Sequence, residues 1–176
     1  MNELTFERLI EPTQEIANAY DKWENDPTLI PLMRPCRNEE DLTKITRVTV
    51  ESLKRRIEQG PTWMILWKRH LVGEMGYQVN PEHLYRKEHQ TAWIGITIGE
   101  ESARGKGIGY RAMQFLEGQV RHQNLPRMEL GVFEFNTRAI RLYQKLGFQE
   151  IGRIENFTYW RGTMWQDIRM EKYINP

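Results

Sequence analysis

The feature that most constrains the fold of this chain is a glycine-rich turn, RGKGIG, at residues 104–109. It follows a β-branched, apolar segment at 90–99 that predicts a strand. It opens a segment at 105–123 whose apolar residues recur at helical spacing. Glycine reaches positive φ without strain and lets a ligand approach the backbone. Because the N–H groups of such a turn and the positive end of the helix dipole face the same space, the sequence predicts a phosphate-binding unit.

Three kinds of phosphate-binding loop resemble this turn in composition. A P-loop requires Ser or Thr after its lysine, whereas Lys106 is followed by Gly107. A dinucleotide-binding fingerprint follows the first strand of its domain and precedes further βαβ units, whereas this turn lies late in the chain. The pyrophosphate loop of acetyl-CoA enzymes, Arg/Gln-x-x-Gly-x-Gly/Ala, is matched by Arg104, Gly107 and Gly109. A tight turn that binds no ligand is the remaining alternative.

The predicted elements follow the order β, α, α, β, β, β, α, β, α, β, β. Crossover helices in the second half of this order predict a mixed α/β sheet. At 176 residues the chain is expected to form a single domain over 1–176, because two domains would each be unusually small. The predicted strands lie at 4–10, 62–68, 71–79, 90–99, 127–134, 148–155 and 163–172, with later helices at 105–123 and 136–146.

The first 60 residues are predicted to be mainly helical. Ile16, Tyr20 and Trp23 recur at helical spacing, and three prolines after them predict an extended loop. Asn38 is a candidate N-cap for the next helix. The β-branched run at 46–50 is expected to divide that helix in two.

Composition excludes several classes of protein. Lys and Arg (25) nearly balance Asp and Glu (24), so the basic excess of a general nucleic-acid-binding protein is absent. No apolar run approaches the roughly 20 residues of a membrane span, and the N-terminus lacks the pattern of a signal peptide. Cys36 is the single cysteine, which excludes an intrachain disulfide and a multi-cysteine zinc site. We expect a cytoplasmic protein without metal, nucleic acid or membrane partners; a homodimer stays open.

A second block, FNTRAIRLYQKLGF at 135–148, combines a strand end, a helix and a capping glycine. Together with the strand at 93–98, the turn and the spacing between them, it resembles the GNAT superfamily of N-acetyltransferases over roughly residues 62–172. The ending at 156–170, NFTYWRGTMWQDIRM, resembles the branch that contains ribosomal-protein N-terminal and spermidine acetyltransferases. The resemblance implies a splayed central sheet flanked by helices. It makes residues 1–61 the variable acceptor side and 62–172 the acetyl-CoA-binding core.

The resemblance also implies how acetyl-CoA binds, in an opening between the strands at 90–99 and 127–134. The main chain of Ile96, Thr97 and Ile98 would pair with the pantetheine arm as an added strand. Asn136 matches the family asparagine that starts a helix, as a cap, a pantetheine ligand or both. The turn would bind the pyrophosphate through the N–H groups of Arg104, Gly105, Lys106, Gly107, Ile108 and Gly109. The side chains of Arg104 and Lys106 would add positive charge, or that of Lys106 would stay solvated.

The catalytic groups follow from the same resemblance. Tyr143 matches the family tyrosine near the cofactor sulfur and is expected to protonate the departing thiolate; a tyrosine that only packs is the alternative. Many members carry a base in the sequence A-E-x-G-I, but Trp93 replaces the glutamate here. Glu74 and Glu129, on neighbouring predicted strands, are candidate bases, directly or through water. The amine losing its proton to solvent is the other possibility.

The function implied is transfer of an acetyl group from acetyl-CoA to a primary amine, by direct attack in a ternary complex. A peptide N-terminus or a polyamine is the favoured acceptor within the class of small-molecule and peptide amines. A catalytically silent acyl-CoA-binding sensor or subunit is the alternative from another class.

Overall fold

We describe the protein from a computed structural model in which residues 3–174 are defined. The strands are β1 (Leu4–Arg8), β2 (Thr62–Trp67), β3 (His70–Val79), β4 (Thr91–Ile98), β5 (Arg127–Phe133), β6 (Gln149–Trp160) and β7 (Thr163–Tyr173). They form one sheet with the order β1-β2-β3-β4-β5-β7-β6, in which β4 and β5 are the parallel pair. The predicted mixed α/β sheet flanked by helices is confirmed. The α-helices are α1 (Gln14–Glu24), α2 (Ile30–Met33), α3 (Val50–Gln59), α4 (Ile108–His122) and α5 (Thr137–Lys145).

The first 60 residues differ from expectation at two places. The proline-containing loop includes the short α2, because Pro31 lies in the first turn, where a missing N–H costs no hydrogen bond. The helix expected after Asn38 is a single 3-10 turn at Glu40–Thr43, where the Asn38 side chain accepts a hydrogen bond from the Asp41 N–H. The β-branched run then continues as extended chain to Thr49, which caps α3.

The sheet has different neighbours on its two faces. On one face, α4 and α5 pack against the main apolar core, which includes Leu116, Met128 and Ile168. On the other face, α1–α3 pack over the first half of the sheet through a second apolar cluster. Over β5–β7 that second face meets the segment 80–90, where Tyr85 contacts Gly152 and His83 contacts Trp93. We call the two sides of this half the helix face and the loop face.

The sheet opens between β4 and β5. These strands pair at only three positions, Thr91 with Arg127, Ala92 with Met128 and Trp93 with Glu129. Beyond Trp93, β4 continues to Ile98 against β3, and β5 continues to Phe133 against β7. The strands therefore diverge, leaving an opening bordered by 94–98 on one side and 130–133 on the other.

None of the helices within residues 3–174 combines the length and the apolar composition that crossing a membrane requires.

Candidate active site

The glycine-rich turn has the backbone shape that its sequence predicts. Gly105 and Gly107 adopt φ of +78° and +75°. Gly107 is the N-cap of α4 and provides no side-chain cap, so the first-turn N–H groups face outward without a side-chain acceptor. A Cβ at position 107 would meet no atom within 4 Å, so the space in front of the helix is open. This geometry can receive an anion.

Gly109 has a different role from its neighbours in the turn. It lies inside the first turn of α4, where a Cβ would be 3.4 Å from Leu142 Cδ2 of α5. A methyl group at this position would be in ordinary van der Waals contact with α5. The N–H of Gly109 still belongs to the exposed helix start.

The side chain of Arg104 turns back toward the end of β4. Its Nε donates to the carbonyl of Ile98 at 3.1 Å and its Nη2 to that of Gly99 at 2.7 Å. Its backbone N–H donates to the Glu101 carbonyl at 3.0 Å. Arg104 thus shapes the strand–turn junction through contacts within the protein, and its contact with a phosphate stays a prediction.

Two other cations lie at the turn. Lys106 Nζ is 5.3 Å from the centre of the Trp67 ring in β2. Arg138, in the first turn of α5, places Nη2 3.3 Å from the Cβ position of Gly105. The sequence analysis did not assign Arg138 a role, although it lies in the block that carries the family resemblance. Its position adds positive charge beside the helix start.

The edge of β4 forms one wall of the opening. Ile96, Thr97 and Ile98 pair with β3 through Met75, Glu74 and Gly73, and they lie beyond the last β4–β5 pair. Their other edge faces the opening, as an added strand would require. The carbonyl of Ile98 is the exception, because Arg104 already donates to it.

Tyr143 and Asn136 lie on α5, on the helix face. The Asn136 side chain accepts a hydrogen bond from the Ala139 N–H at 3.2 Å, which makes it the cap of the helix. Tyr143 is 9% exposed and packs edge-to-face with Phe148 at 5.9 Å between ring centres. Burial raises the pKa of Tyr143 to about 12. The phenol therefore stays protonated at neutral pH, and its role as a proton donor stays a prediction.

Glu74 borders the open half of the sheet on the face of α1–α3. It pairs along the sheet with Thr97, and its carboxylate accepts hydrogen bonds from Arg56 Nη1 at 3.1 and 3.4 Å. Arg56 also bonds Glu24, so one guanidinium serves two acids. Burial raises the pKa of Glu74, and the charge of Arg56 opposes that shift.

Glu129 lies at the closed end of the opening. It is fully buried opposite Trp93 in the last β4–β5 pair. Its carboxylate accepts hydrogen bonds from Arg127 Nη2 at 2.5 Å and from the Tyr85 N–H at 2.6 Å. Arg127 also bonds Glu171, at 2.8 Å. These contacts tie β5, β7 and the covering loop together and leave Glu129 engaged within the protein.

Strand β5 is buried on both of its faces. Met128, Leu130 and Val132 lie in the main apolar core, and the segment 80–90 covers the loop face. Glu129, Asp167 and Glu171 are buried acids on that face, and sequence reasoning missed Asp167. The available signal was the alternation of Asp167, Arg169 and Glu171, which puts these three charged residues on one face of β7.

Within residues 3–174, no group of three or more His, Cys, Asp or Glu side chains is arranged to hold a metal ion.

Comparisons with known proteins agree with this geometry. The family model described as "Acetyltransferase (GNAT) family" matches residues 19–148. The spermine/spermidine N(1)-acetyltransferase of Bacillus subtilis is 28% identical over 120 residues, covering 68% of this chain and 78% of that protein. The predicted resemblance is confirmed.

Two solved structures show the same fold at low sequence identity. The spermidine N-acetyltransferase of Vibrio cholerae, in complex with CoA and spermine, superposes with a TM-score of 0.74 at 16% identity, over 98% of this chain and 96% of that one. The ribosomal-protein-alanine N-acetyltransferase of Brucella melitensis superposes with a TM-score of 0.72 at 19% identity, over 97% and 99% of the two chains.

Proposed function

The chain belongs to the GNAT family of acetyl-CoA-dependent N-acetyltransferases, and we propose that it acetylates a primary amine by direct attack in a ternary complex. A polyamine or a peptide N-terminus is the proposed acceptor. The observation that carries the proposal is the opening between β4 and β5, together with the start of α4, which has no side-chain cap and follows the β4 wall of that opening.

The turn and the edge of β4 fit acetyl-CoA as the second substrate. The uncapped first turn of α4 offers N–H groups to the pyrophosphate, and the open space in front of Gly107 leaves room for it. Arg138 contributes positive charge beside them. The free edge of β4 at 96–98 is suited to the amides of the pantetheine arm, with Asn136 near the start of α5.

The proposed transfer moves two protons, one to the departing thiolate and one away from the attacking amine. The neutral amine attacks the thioester carbonyl, the C–N bond forms and the C–S bond breaks. Tyr143 donates its proton to the departing thiolate. The proton lost by the amine goes to solvent or to a carboxylate. Of the two predicted bases, Glu74 borders the open half, whereas Glu129 is engaged at the closed end.

Both acceptor classes have support from relatives. The Bacillus relative is named for polyamines, and the Brucella structure is named for a ribosomal-protein alanine. The net charge of +1 gives this chain no long-range attraction for a polycation, so selection of a polyamine would depend on local acids. Glu24 and Glu74, which share Arg56, provide one excess negative charge on the acceptor side.

A screen of amines tests the proposal, with released CoA as the readout and mass spectrometry to locate the acetyl group. Spermidine, spermine and alanine-initiated peptides are the expected substrates, and alcohols of matched size are the controls. Acetylation of hydroxyl groups alone would show that the acceptor class is wrong. A protein that binds acetyl-CoA but transfers nothing to any amine would be the silent binding protein instead.

A further inference from the structure

The family resemblance leaves one chemical role without a residue. Trp93 occupies the β4 position at which many relatives have a glutamate, so β4 contributes no carboxylate there. The tertiary structure places another carboxylate beside the Trp93 ring, and it comes from β7. A Cβ at Gly131 would lie 2.8 Å from Asp167 Oδ2, 3.1 Å from Asp167 Oδ1 and 3.1 Å from Cη2 of Trp93. The absent side chain at Gly131 therefore makes room for the Asp167 carboxylate next to the indole.

This carboxylate lies at the opening of the sheet. Asp167 pairs with Phe133, and Gly131 and Phe133 belong to the part of β5 that has lost β4 as a partner. The Asp167 side chain is on the loop face, opposite the face that holds Tyr143. An amine approaching from the loop face and a proton donor on the helix face would therefore lie on opposite sides of the opening.

Only half of the Asp167 carboxylate is satisfied by the protein. Oδ2 accepts a hydrogen bond from Arg169 Nε at 2.6 Å, while Oδ1 accepts none from residues 3–174. The side chain is 3% exposed. Within residues 3–174 the one fully buried side-chain polar atom without a partner is the Tyr20 hydroxyl oxygen, so Asp167 Oδ1 keeps some contact with solvent. An ammonium or amine N–H that reached Oδ1 there would supply the missing donor. Glu74 differs, because Arg56 donates to both of its oxygens.

The remaining surroundings of Asp167 suit an amine. Among residues 3–174, Arg169 is its single close ionic partner. Arg169 itself donates to the His83 carbonyl at 2.8 Å, and its guanidinium lies 4.9 Å from the centre of the Trp93 ring. On the strands that flank β7, β5 presents Gly131 and Phe133 and β6 presents Ile154. His83 contacts the far side of Trp93, and burial and the charge of Arg169 lower the pKa of His83.

A cluster of aromatic side chains extends from Phe133 along this face. Its other members are Phe135, Phe157, Trp160 and Trp165. Aromatic faces attract ammonium groups.

We infer that Asp167 faces the acceptor amine in the opening and takes the proton that the amine loses before it attacks acetyl-CoA. The inference rests on the proposed function. The amine proton passes to Asp167, the nitrogen lone pair forms the bond to the acetyl carbon, and the deprotonated base is restored when solvent takes the proton. Burial raises the pKa of Asp167, which makes it a stronger base than an exposed aspartate, although Arg169 opposes the shift.

The test compares Asp167→Asn with Glu171→Gln, using spermidine and an alanine-initiated peptide as acceptors. Glu171 is a matched control, because it is a buried acid on the same face of β7 that pairs with Arg127 and Arg86, away from the opening. We expect Asp167→Asn to lower kcat/KM for the amine by about 10²–10⁴-fold, the usual contribution of acid–base catalysis. Its affinity for acetyl-CoA should stay within about threefold of wild type, and Glu171→Gln should retain wild-type kcat/KM when folded.

The pH dependence of kcat/KM distinguishes a catalytic base from a carboxylate that has only a structural role. For the wild type, kcat/KM should rise with pH as Asp167 loses its proton, at a midpoint above the ordinary range of an aspartate. Asp167→Asn should lack this rise. A rise that persists in Asp167→Asn and disappears in His83→Gln would overturn the inference and assign the base to His83.

The outcomes distinguish this inference from the proposed function. A wild-type protein that acetylates neither amine contradicts the proposed function and the inference with it. An active wild type together with a folded Asp167→Asn of kcat/KM within about threefold contradicts the inference alone. If Asp167→Asn does not fold, Gly131→Ala provides the measurement, because its Cβ displaces the carboxylate. Unchanged amine kinetics in folded Gly131→Ala would also overturn the inference.

Discussion

The helix face and the loop face of the sheet are built by different means. On the helix face, the groups assigned to acetyl-CoA are backbone N–H groups, a helix cap and a tyrosine, all held by local structure in α4 and α5. On the loop face, Arg127, Glu129 and Glu171 form a buried charged cluster whose members come from two strands and pair across the sheet. We therefore expect substitutions on the helix face to alter cosubstrate binding and protonation of the leaving thiolate, and substitutions in the charged cluster to alter stability.

The largest expected effect concerns Tyr143. Tyr143→Phe keeps the ring beside Phe148 but removes the proton that the thiolate needs. We expect kcat to fall by about 10²–10⁴-fold, with a much smaller change in the KM for acetyl-CoA. Steady-state kinetics on the folded variant make the measurement, and pre-steady-state kinetics of acetyl transfer exclude masking by product release. A transfer step within about threefold of wild type would remove Tyr143 from the mechanism.

A substitution in the charged cluster of the loop face is expected to lower the free energy of unfolding. Arg127→Met leaves Glu129 and Glu171 buried without their shared partner, and breaking a buried ion pair typically costs about 3–5 kcal/mol. The free energy of unfolding, from urea titration, measures this cost. Arg153→Met is the control, because Arg153 is 40% exposed and pairs with Glu150 and Glu134 at the surface. Exposed pairs contribute about 0–1 kcal/mol. Equal effects of the two substitutions would show that the buried cluster has no special role.

We expect a negative charge added at the glycine-rich turn to weaken acetyl-CoA binding more than an added methyl group does. Gly107→Glu places a carboxylate at the start of α4, where the pyrophosphate is proposed to bind, and we expect the Kd of acetyl-CoA to rise about tenfold or more. Gly107→Ala shares the strain of positive φ, about 1–2 kcal/mol, but adds no charge, and its Cβ enters open space. Calorimetric titration of both variants separates the two effects. Wild-type affinity in folded Gly107→Glu would contradict the assignment of the turn.

Asn136 is expected to give the smallest effect. Asn136→Ala removes the cap of α5 and should lower the free energy of unfolding by about 1 kcal/mol. Asn136→Ser keeps a capping oxygen but removes the amide. If the amide also binds the pantetheine arm, Asn136→Ser retains stability and loses affinity for acetyl-CoA. If the free energy of unfolding and the affinity for acetyl-CoA both stay at their wild-type values in Asn136→Ser, Asn136 only caps α5.

Several features of the fold were predictable because they depend on neighbours within a few residues. The spacing of apolar residues indicated α1, α4 and α5, and the β-branched run at 46–50 indicated the break before α3. The turn at 104–109 required positive φ at its glycines, and Gly105 and Gly107 adopt it. Helix periodicity, capping and glycine conformations are local properties, so a sequence displays them directly.

Only the tertiary structure decided which charged residues are buried and which of them meet. Glu129 alternates with apolar residues as a solvent-facing strand residue would, yet the Tyr85 N–H, 44 positions earlier, closes over it. Asp167 reaches the opening because Gly131 has no side chain and because Arg169 holds one of its oxygens. The burial of a charge depends on segments distant in the chain that cover it, and neither composition nor periodicity records which segments those are.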